Sequence, residues 1–481
     1  MISAEYAPFA KTGGLADMVT GLSRALAGAG HDVRVLMPHY AGLGTDPVAG
    51  SDIVLGPTQV SPVALAGAHP AYTLRQVPDA PGTGPRLYRI HAPEFFGSGA
   101  IYGGGELEAR RFALLAHGAL RLCTLLGWHP AILHCHDWHA ALVPVLLRTG
   151  YRSELALREA SSVLTIHNIG YQGVFPATLA ADLGLLAGAT VTGPASDLNF
   201  LREGILAADA LTTVSPTHAA EILTPEYGKG LDTLLRQRRN RLAGILNGVD
   251  YSAWDPATDA RIAARYDATN LDGKARCRDA LLAAAGLDRI PGAPVLGMVT
   301  RLAGQKGIEL VVEALPPLLR QRAVQMVILG QGEERYAAQL RQIAADFPGL
   351  FRYVDAQDES LARGIFAGSD AFLVPSIYEP CGLTQMYALR YGAVPVVRET
   401  GGLRDTVRHF DVATRTGTGS VFRHADGNAL AWAIGEVLAW YRQPDLWAAL
   451  RQNGMREDFS WQHQAPLYAA LYVRLTGASS P

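Results

Sequence analysis

The chain has 481 residues, too many for one ordinary core, and the 49% hydrophobic and 18% charged composition predicts a globular protein of two domains. A formal net charge of −2 argues against nucleic acid or an anionic membrane as partner, so any phosphate must be met by local charges. Four scattered cysteines (Cys123, Cys135, Cys277, Cys381) form no CxxC, and no apolar run reaches the length of a membrane span, which together predict a cytoplasmic protein.

In chain order, Lys11-Thr12-Gly13-Gly14-Leu15-Ala16-Asp17 opens an amphipathic helix with apolar positions Met18, Val19, Leu22, Ala25 and Leu26. Two glycines at a helix start with a lysine before them predict a phosphate cradle plus a point charge. It is not a Walker A loop, because no Gly-Lys-Ser/Thr follows at the required spacing. Val33–Met37, Ala131–His134, Ser162–Ile166, Ala210–Val214, Val295–Val299, Gln325–Leu329 and Ala371–Val374 read as strands with helical patterns between them, the βαβ signature. Ala41–Gly67 and Pro78–Gly105, rich in Gly and Pro, read as loops or irregular insertions. The strands fall into two sets, divided near Asn247–Asp250. The expected fold class is therefore α/β: two Rossmann-like domains with mostly parallel sheets facing across a cleft, their ligands beyond the C-terminal ends of the strands.

Arg301 and Lys306 follow the strand Val295–Val299 across a glycine-bearing turn. Arg forks onto oxygens and Lys acts as a point charge, so the pair suits a diphosphate; an exposed basic turn is the alternative. Gly330-Gln331-Gly332 lacks the third glycine of a dinucleotide fingerprint. After Ala371–Val374 comes Pro375-Ser376-Ile377-Tyr378-Glu379-Pro380-Cys381-Gly382-Leu383-Thr384-Gln385, a Pro-bounded turn with one carboxylate, Glu379, followed by a helix start. A carboxylate and free helix N–H groups in one turn suit a ligand that is sugar at one end and phosphate at the other. Cys381 has no base beside it in sequence and reads as a packed thiol.

The Lys-Thr-Gly-Gly and Glu-Pro-Cys-Gly-Leu motifs together resemble the bacterial glycogen synthase and plant starch synthase family of retaining glucosyltransferases. The resemblance runs through His134-Cys135-His136-Asp137-Trp138-His139-Ala140, Thr165-Ile166-His167-Asn168-Ile169-Gly170-Tyr171-Gln172-Gly173 and Thr213-Val214-Ser215-Pro216. It continues in Ile245-Leu246-Asn247-Gly248-Val249-Asp250, Arg301-Leu302-Ala303-Gly304-Gln305-Lys306-Gly307, Thr400-Gly401-Gly402-Leu403-Arg404-Asp405-Thr406-Val407 and Asp458-Phe459-Ser460-Trp461. It implies the GT-B architecture, with an N-terminal domain over 1–245, a nucleotide-sugar domain over 246–456, and a last helix, about Phe459 to Leu475 within 457–481, crossing back to the first domain.

The activity implied is transfer of glucose from ADP-glucose to the non-reducing end of an α-1,4-glucan with retention of configuration. Catalytic roles fall to Arg301, Lys306, Glu379, His167 and Asp137, and substrate contacts to Lys11, Gly14, Asn247, Gln357, Cys381, Gly382 and Leu383. In this reading Asp137 and His167 complete the glucose pocket, and His134, His136 and His139 are not metal ligands, since Trp138 interrupts the order that binuclear zinc hydrolases use. No Asp-x-Asp occurs in the chain, so no metal or other cofactor is expected. Two rivals stand beside this reading: a GT-B enzyme using UDP-glucose or another acceptor, and a catalytically silent glucan-binding protein. The joint presence of Lys11, Asp137, His167, Arg301, Lys306 and Glu379 argues against silence.

Three departures from the family pattern matter. Met1-Ile2-Ser3-Ala4 is short for a central first strand, which predicts an authentic start further upstream. Ile377 stands where relatives usually have Arg, and Gln357 where they usually carry an aromatic ring near the base.

Overall fold

A computed structural model of the chain describes residues 1–43, 52–78, 84–185 and 197–477. The chain divides into two compact units, Met1–Gly248 together with the segment from Trp461 onward, and Val249–Ser460.

In the first unit the strands are β1 (Arg34–Pro38), β2 (Ile53–Val60), β3 (Ala71–Gln76), β4 (Arg86–His91), β5 (Ile132–His136), β6 (Ser161–Ile166), β7 (Val174–Pro176), β8 (Asp197–Asn199), β9 (Ala210–Thr213) and β10 (Leu242–Gly244). They order as β1-β4-β3-β2 and β10-β9-β6-β5, with β7 and β8 as a separate antiparallel pair. The first residues of the chain stitch the two larger sets together. The Ile2 N–H donates to His134 O (2.8 Å), His136 N–H donates to Ile2 O (3.1 Å), and Ser3 N–H donates to Leu36 O (3.2 Å). Short as it is, Met1–Ser3 thus lies at the centre of the sheet, between β5 and β1.

Val35, Leu36, Leu133, Leu164 and Leu211 are buried because a parallel sheet is covered on both faces. The helix Gly14–Gly28 seals one side with Met18, Val19, Leu22 and Leu26, all in the core. The closing helix, Trp461–Thr476, contributes Trp461, Ala465 and Tyr468 to the same core.

The stretches expected to be loops at Ala41–Gly67 and Pro78–Gly105 are corrected by the structure: the first contains β2 and the second β4, although residues 44–51 and 79–83 lie outside the described residues. The expectation failed for a physical reason. β2 is an edge strand exposed over most of its length, paired antiparallel to β3, so no burial shaped its sequence into an apolar run. β3 itself was not foreseen.

The second unit holds β11 (Val295–Val299), β12 (Gln325–Leu329), β13 (Phe351–Val354), β14 (Ala371–Val374), β15 (Val394–Arg398) and β16 (Ser420–Phe422). All pairings are parallel and the order is β13-β12-β11-β14-β15-β16. Counted from its own first strand, this is the doubly wound 3-2-1-4-5-6 arrangement, whose order reverses between β11 and β14. The crevice at that reversal, beyond the C-terminal ends of both strands, is where such sheets hold ligands. Gly330 and Gly332 follow β12 for packing: a Cβ on Gly330 would sit 1.7 Å from Thr300 O, and one on Gly332 2.1 Å from Leu302 O. They let the two loops touch.

Candidate functional site

Each unit gathers its own cluster of candidate residues at the centre of its sheet. In the second unit the turns after β11 and β14 meet. Ile377 N–H donates to Gln305 O (2.8 Å) and Gln305 Nε2 to Tyr378 O (3.1 Å). Gly307, at φ +69°, permits this approach, since a Cβ there would lie 2.1 Å from Pro375 O. The contact brings Lys306 Nζ to 2.6 Å from Glu379 Oε2, which also accepts from Ser376 Oγ at 2.8 Å. Glu379 is 7% exposed, so its charge is neutralised by a partner 73 residues away in sequence.

Arg301, in the same turn, is exposed, and its guanidinium has no partner among the described residues. Lys306 and Arg301 therefore differ: one cation is committed to a carboxylate, the other is available. Cys381, Gly382 and Leu383 continue from Glu379 into the helix Thr384–Arg390. Gly382 has φ +75°, a left-handed conformation that suits glycine. The Cys381 thiol is buried. The turn is braced by Gly402, whose N–H points at Glu379 O (3.1 Å) and Pro380 O (3.2 Å). Gln357 lies in the loop after the edge strand β13, which is separated from β11 by β12. It is exposed and makes no side-chain hydrogen bond among the described residues. Ile377 packs against the unit's core while its carbonyl accepts from the Arg398 guanidinium.

In the first unit Glu5, which no sequence motif had singled out, organises the helix start. Its buried carboxylate accepts from Thr12 N–H (2.7 Å), Thr12 Oγ1 (2.6 Å), Gly13 N–H (3.4 Å) and the Tyr102 hydroxyl (2.5 Å). Burial, with this carboxylate next to it, pushes the Tyr102 phenol far above its ordinary pKa. The Thr12 and Gly13 amides, expected to cradle a phosphate, thus face an internal anion, while Gly13 and Gly14 are both exposed. Lys11 is exposed and pairs with Asp17 at 2.7 Å.

Asp137 follows β5 in a left-handed conformation, φ +57°, that non-glycine residues rarely adopt. Its Oδ1 holds the turn after β6 by accepting from His167 N–H (2.7 Å) and Asn168 N–H (3.3 Å). Burial raises its pKa to about 7 against the lowering effect of these two bonds. His167 Nε2 lies 3.1 Å from His136 Nδ1. Burial lowers the pKa of His167 to about 3, that of His139 likewise, and that of His136 well below the ordinary range, so the rings are neutral at pH 7. His134 is bonded to Tyr472 Oη (2.7 Å) and Thr165 Oγ1 (2.5 Å), and His139 is stacked on Tyr102. Among the described residues no group of three or more His, Cys, Asp or Glu is arranged to hold a metal ion. Asn247 is buried, and its Oδ1 has no partner among the described residues. The contacts of Tyr102 and His136 were missed because their partners, Glu5 and His167, lie 97 and 31 residues away. Those of Glu5 with Thr12 and of Ser376 with Glu379 span only seven and three residues and were missed although local. Only for Glu5 was there a signal: a lone carboxylate just past an apolar first strand.

Against known proteins, residues 1–237 match the family model described as starch synthase catalytic domain, and residues 286–455 that of glycosyl transferases group 1. The glycogen synthase of Anaeromyxobacter sp. (strain Fw109-5) is 44% identical, over 98% of this chain and 98% of that one. That of Syntrophotalea carbinolica is 41% identical, over 98% and 97%. The solved catalytic domain of Starch Synthase IV from Arabidopsis thaliana, bound to ADP and acarbose, superposes with a TM-score of 0.90 at 34% identity, covering 99% of each chain. Sucrose-phosphate synthase from Thermosynechococcus elongatus, at 18% identity and a TM-score of 0.60 over 99% of this chain and 96% of that one, shares the fold.

Two α/β units with ligand-type turns at their strand-order reversals, matched in this way, make the chain a glycosyltransferase of the GT-B class. It belongs to the glycogen synthase and starch synthase family.

Proposed function

We propose that the chain moves glucose from ADP-glucose to the non-reducing end of an α-1,4-glucan with retention of configuration. The observation that supports this reading is the meeting of Lys306 and Glu379 at the reversal between β11 and β14, with Arg301, unpartnered among the described residues, in the same turn as Lys306. Cleaving the anomeric C–O bond builds negative charge on the departing diphosphate, and Arg301 and Lys306 are the groups to receive it, with the amides of Gly382 and Leu383 beside them. In this proposal Glu379, Asp137 and His167 hold sugar hydroxyls, and Lys11, Gly14 and Asn247 serve phosphate or acceptor. The related starch synthase was solved with ADP and acarbose, which supports an adenine nucleotide and an α-glucan as ligands.

Retention in hydrolases normally uses a nucleophilic carboxylate. Glu379 is a poor candidate, since Oε2 already accepts from Lys306 and Ser376. Same-face attack assisted by the leaving phosphate fits this arrangement better. We place the reaction in the cytoplasm, in keeping with four cysteines that are all buried and form no disulfide, and without a metal, because local cations supply the charge. Among the described residues no helix is long and apolar enough to cross a membrane.

Initial rates with ADP-glucose and UDP-glucose, with glycogen as acceptor, test the reading. Faster turnover of ADP-glucose is expected. Faster UDP-glucose turnover overturns the donor assignment, and absence of transfer from either leaves the silent glucan-binding alternative.

A further inference from the structure

The His136–His167 contact contains information that neither residue carries alone. Two imidazole nitrogens 3.1 Å apart share one proton, so one ring donates and the other accepts. Two arrangements satisfy this. If His136 carries its proton on Nδ1, it donates to His167 Nε2, and His167, being neutral, must carry its own proton on Nδ1. If instead His167 donates from Nε2, the His136 proton sits on Nε2 and His167 Nδ1 is a bare acceptor.

The surroundings of His136 separate the two. Its side chain is fully buried, and Nε2 has no hydrogen-bond partner among the described residues. The second arrangement strands an N–H donor there, whereas the first leaves only a lone pair. Buried N–H groups without partners are the rarer case in proteins, and an unmade bond at a buried donor is penalised in full. The ring cannot easily turn to escape, because it lies between His134, at 4.2 Å between centroids, and His167, at 5.4 Å. His134 offers no relief, since both of its nitrogens are engaged by Tyr472 and Thr165.

We infer that His136 is a positioning residue which fixes His167 in the Nδ1–H tautomer, so that His167 presents a hydrogen-bond donor, and not an acceptor, to a sugar oxygen. This rests on the proposed place of His167 in the glucose pocket. His167 is partly exposed, and its Nδ1 has no partner among the described residues. Its main chain is separately held by Asp137 through the 2.7 Å bond to its N–H. The two consecutive residues at the end of β5 thus act on different parts of His167. Asp137 fixes its backbone, and His136 sets the orientation and protonation of its ring. Adjacent β5 and β6 put them in register, with His136 opposite Thr165, two residues before His167.

The test combines a direct readout of tautomer with kinetics. In full-length protein carrying 15N-labelled histidine, long-range 1H–15N spectra at neutral pH should assign the His167 proton to Nδ1, with Nε2 unprotonated; a proton on His167 Nε2 overturns the proposal whatever the enzyme does. Asn offers an amide N–H where His136 places Nδ1, so His136→Asn should keep both the tautomer and most of the turnover. His136→Phe keeps a ring but no donor; it should populate both tautomers and lower kcat about tenfold or more, the worth of one positioned hydrogen bond. A folded His136→Phe enzyme with unchanged kcat overturns the proposal. If His167→Phe itself transfers glucose at the normal rate, the functional premise fails, and this outcome is recognisable because the spectra of the parent protein do not depend on it.

Discussion

Replacing Lys306 by alanine separates what the lysine does for the fold from what it does for the reaction. At 2.6 Å and an effective dielectric near 20, the Lys306–Glu379 attraction is about 6 kcal/mol before desolvation is subtracted. Removing one member of a buried pair costs about 3–5 kcal/mol, chiefly because the remaining charge is left unpaired. Ser376 still donates to Glu379 in the variant, and Lys306 is itself partly exposed, which places the loss near the lower end, about 3 kcal/mol. For a unit of this size that lowers the melting midpoint by roughly 6–12 °C. Turnover should fall about 10²–10³-fold, the usual loss when one stabiliser of developing charge is removed. The double variant Lys306→Ala/Glu379→Gln removes the stranded carboxylate. It should recover most of the lost stability and none of the lost rate. Thermal melts of the parent and both variants, with kcat measured well below the lowest midpoint, make the comparison. If Lys306→Ala melts with the parent, the pair is not the buried contact described above. If it retains near-normal kcat, Lys306 does not meet the leaving group.

Gln357→Tyr restores an aromatic ring and should lower KM for ADP-glucose about tenfold or more with kcat nearly constant, since base stacking is worth roughly 1–3 kcal/mol and uniform binding alters KM alone; an unchanged KM means that Gln357 does not lie against the base. Exhaustive chelation should leave the rate nearly unchanged, and a large loss restored by magnesium or manganese refutes the metal-free reading. Lys274 is buried with its ammonium donating to Ala367 O (3.0 Å) and Tyr391 O (2.8 Å), and burial lowers its pKa to about 7. A lysine whose folded pKa is depressed binds fewer protons folded than unfolded between about pH 7 and 10.5, so its penalty is complete below pH 7 and stability recovers as pH rises through that window. The melting midpoint of Lys274→Met should therefore gain on the parent most at pH 7 and least near pH 10; a pH-independent difference refutes the depressed pKa.

The alternation of strands and helices is legible in the amino-acid sequence, because a strand covered on both faces must be apolar along its whole length. Val295–Val299, Gln325–Leu329 and Ala371–Val374 occupy the spans their composition predicts. The sequence also marks out the candidate turns, since glycines, cations and a carboxylate cluster just beyond those strands. Exposed β2 was not legible, as an edge strand facing water is free of the burial that writes a pattern.

The pairings, by contrast, arise in the folded sheets. Lys306 meets Glu379, and His136 meets His167, across 73 and 31 residues because parallel strands bring their C-terminal turns side by side. The same folding turned the Thr12 and Gly13 amides onto Glu5, which a local reading had assigned to a phosphate. A sequence shows which groups are available at each turn. Which donor finds which acceptor depends on the order of strands in the sheet, and that order is set by how the whole chain buries its apolar faces.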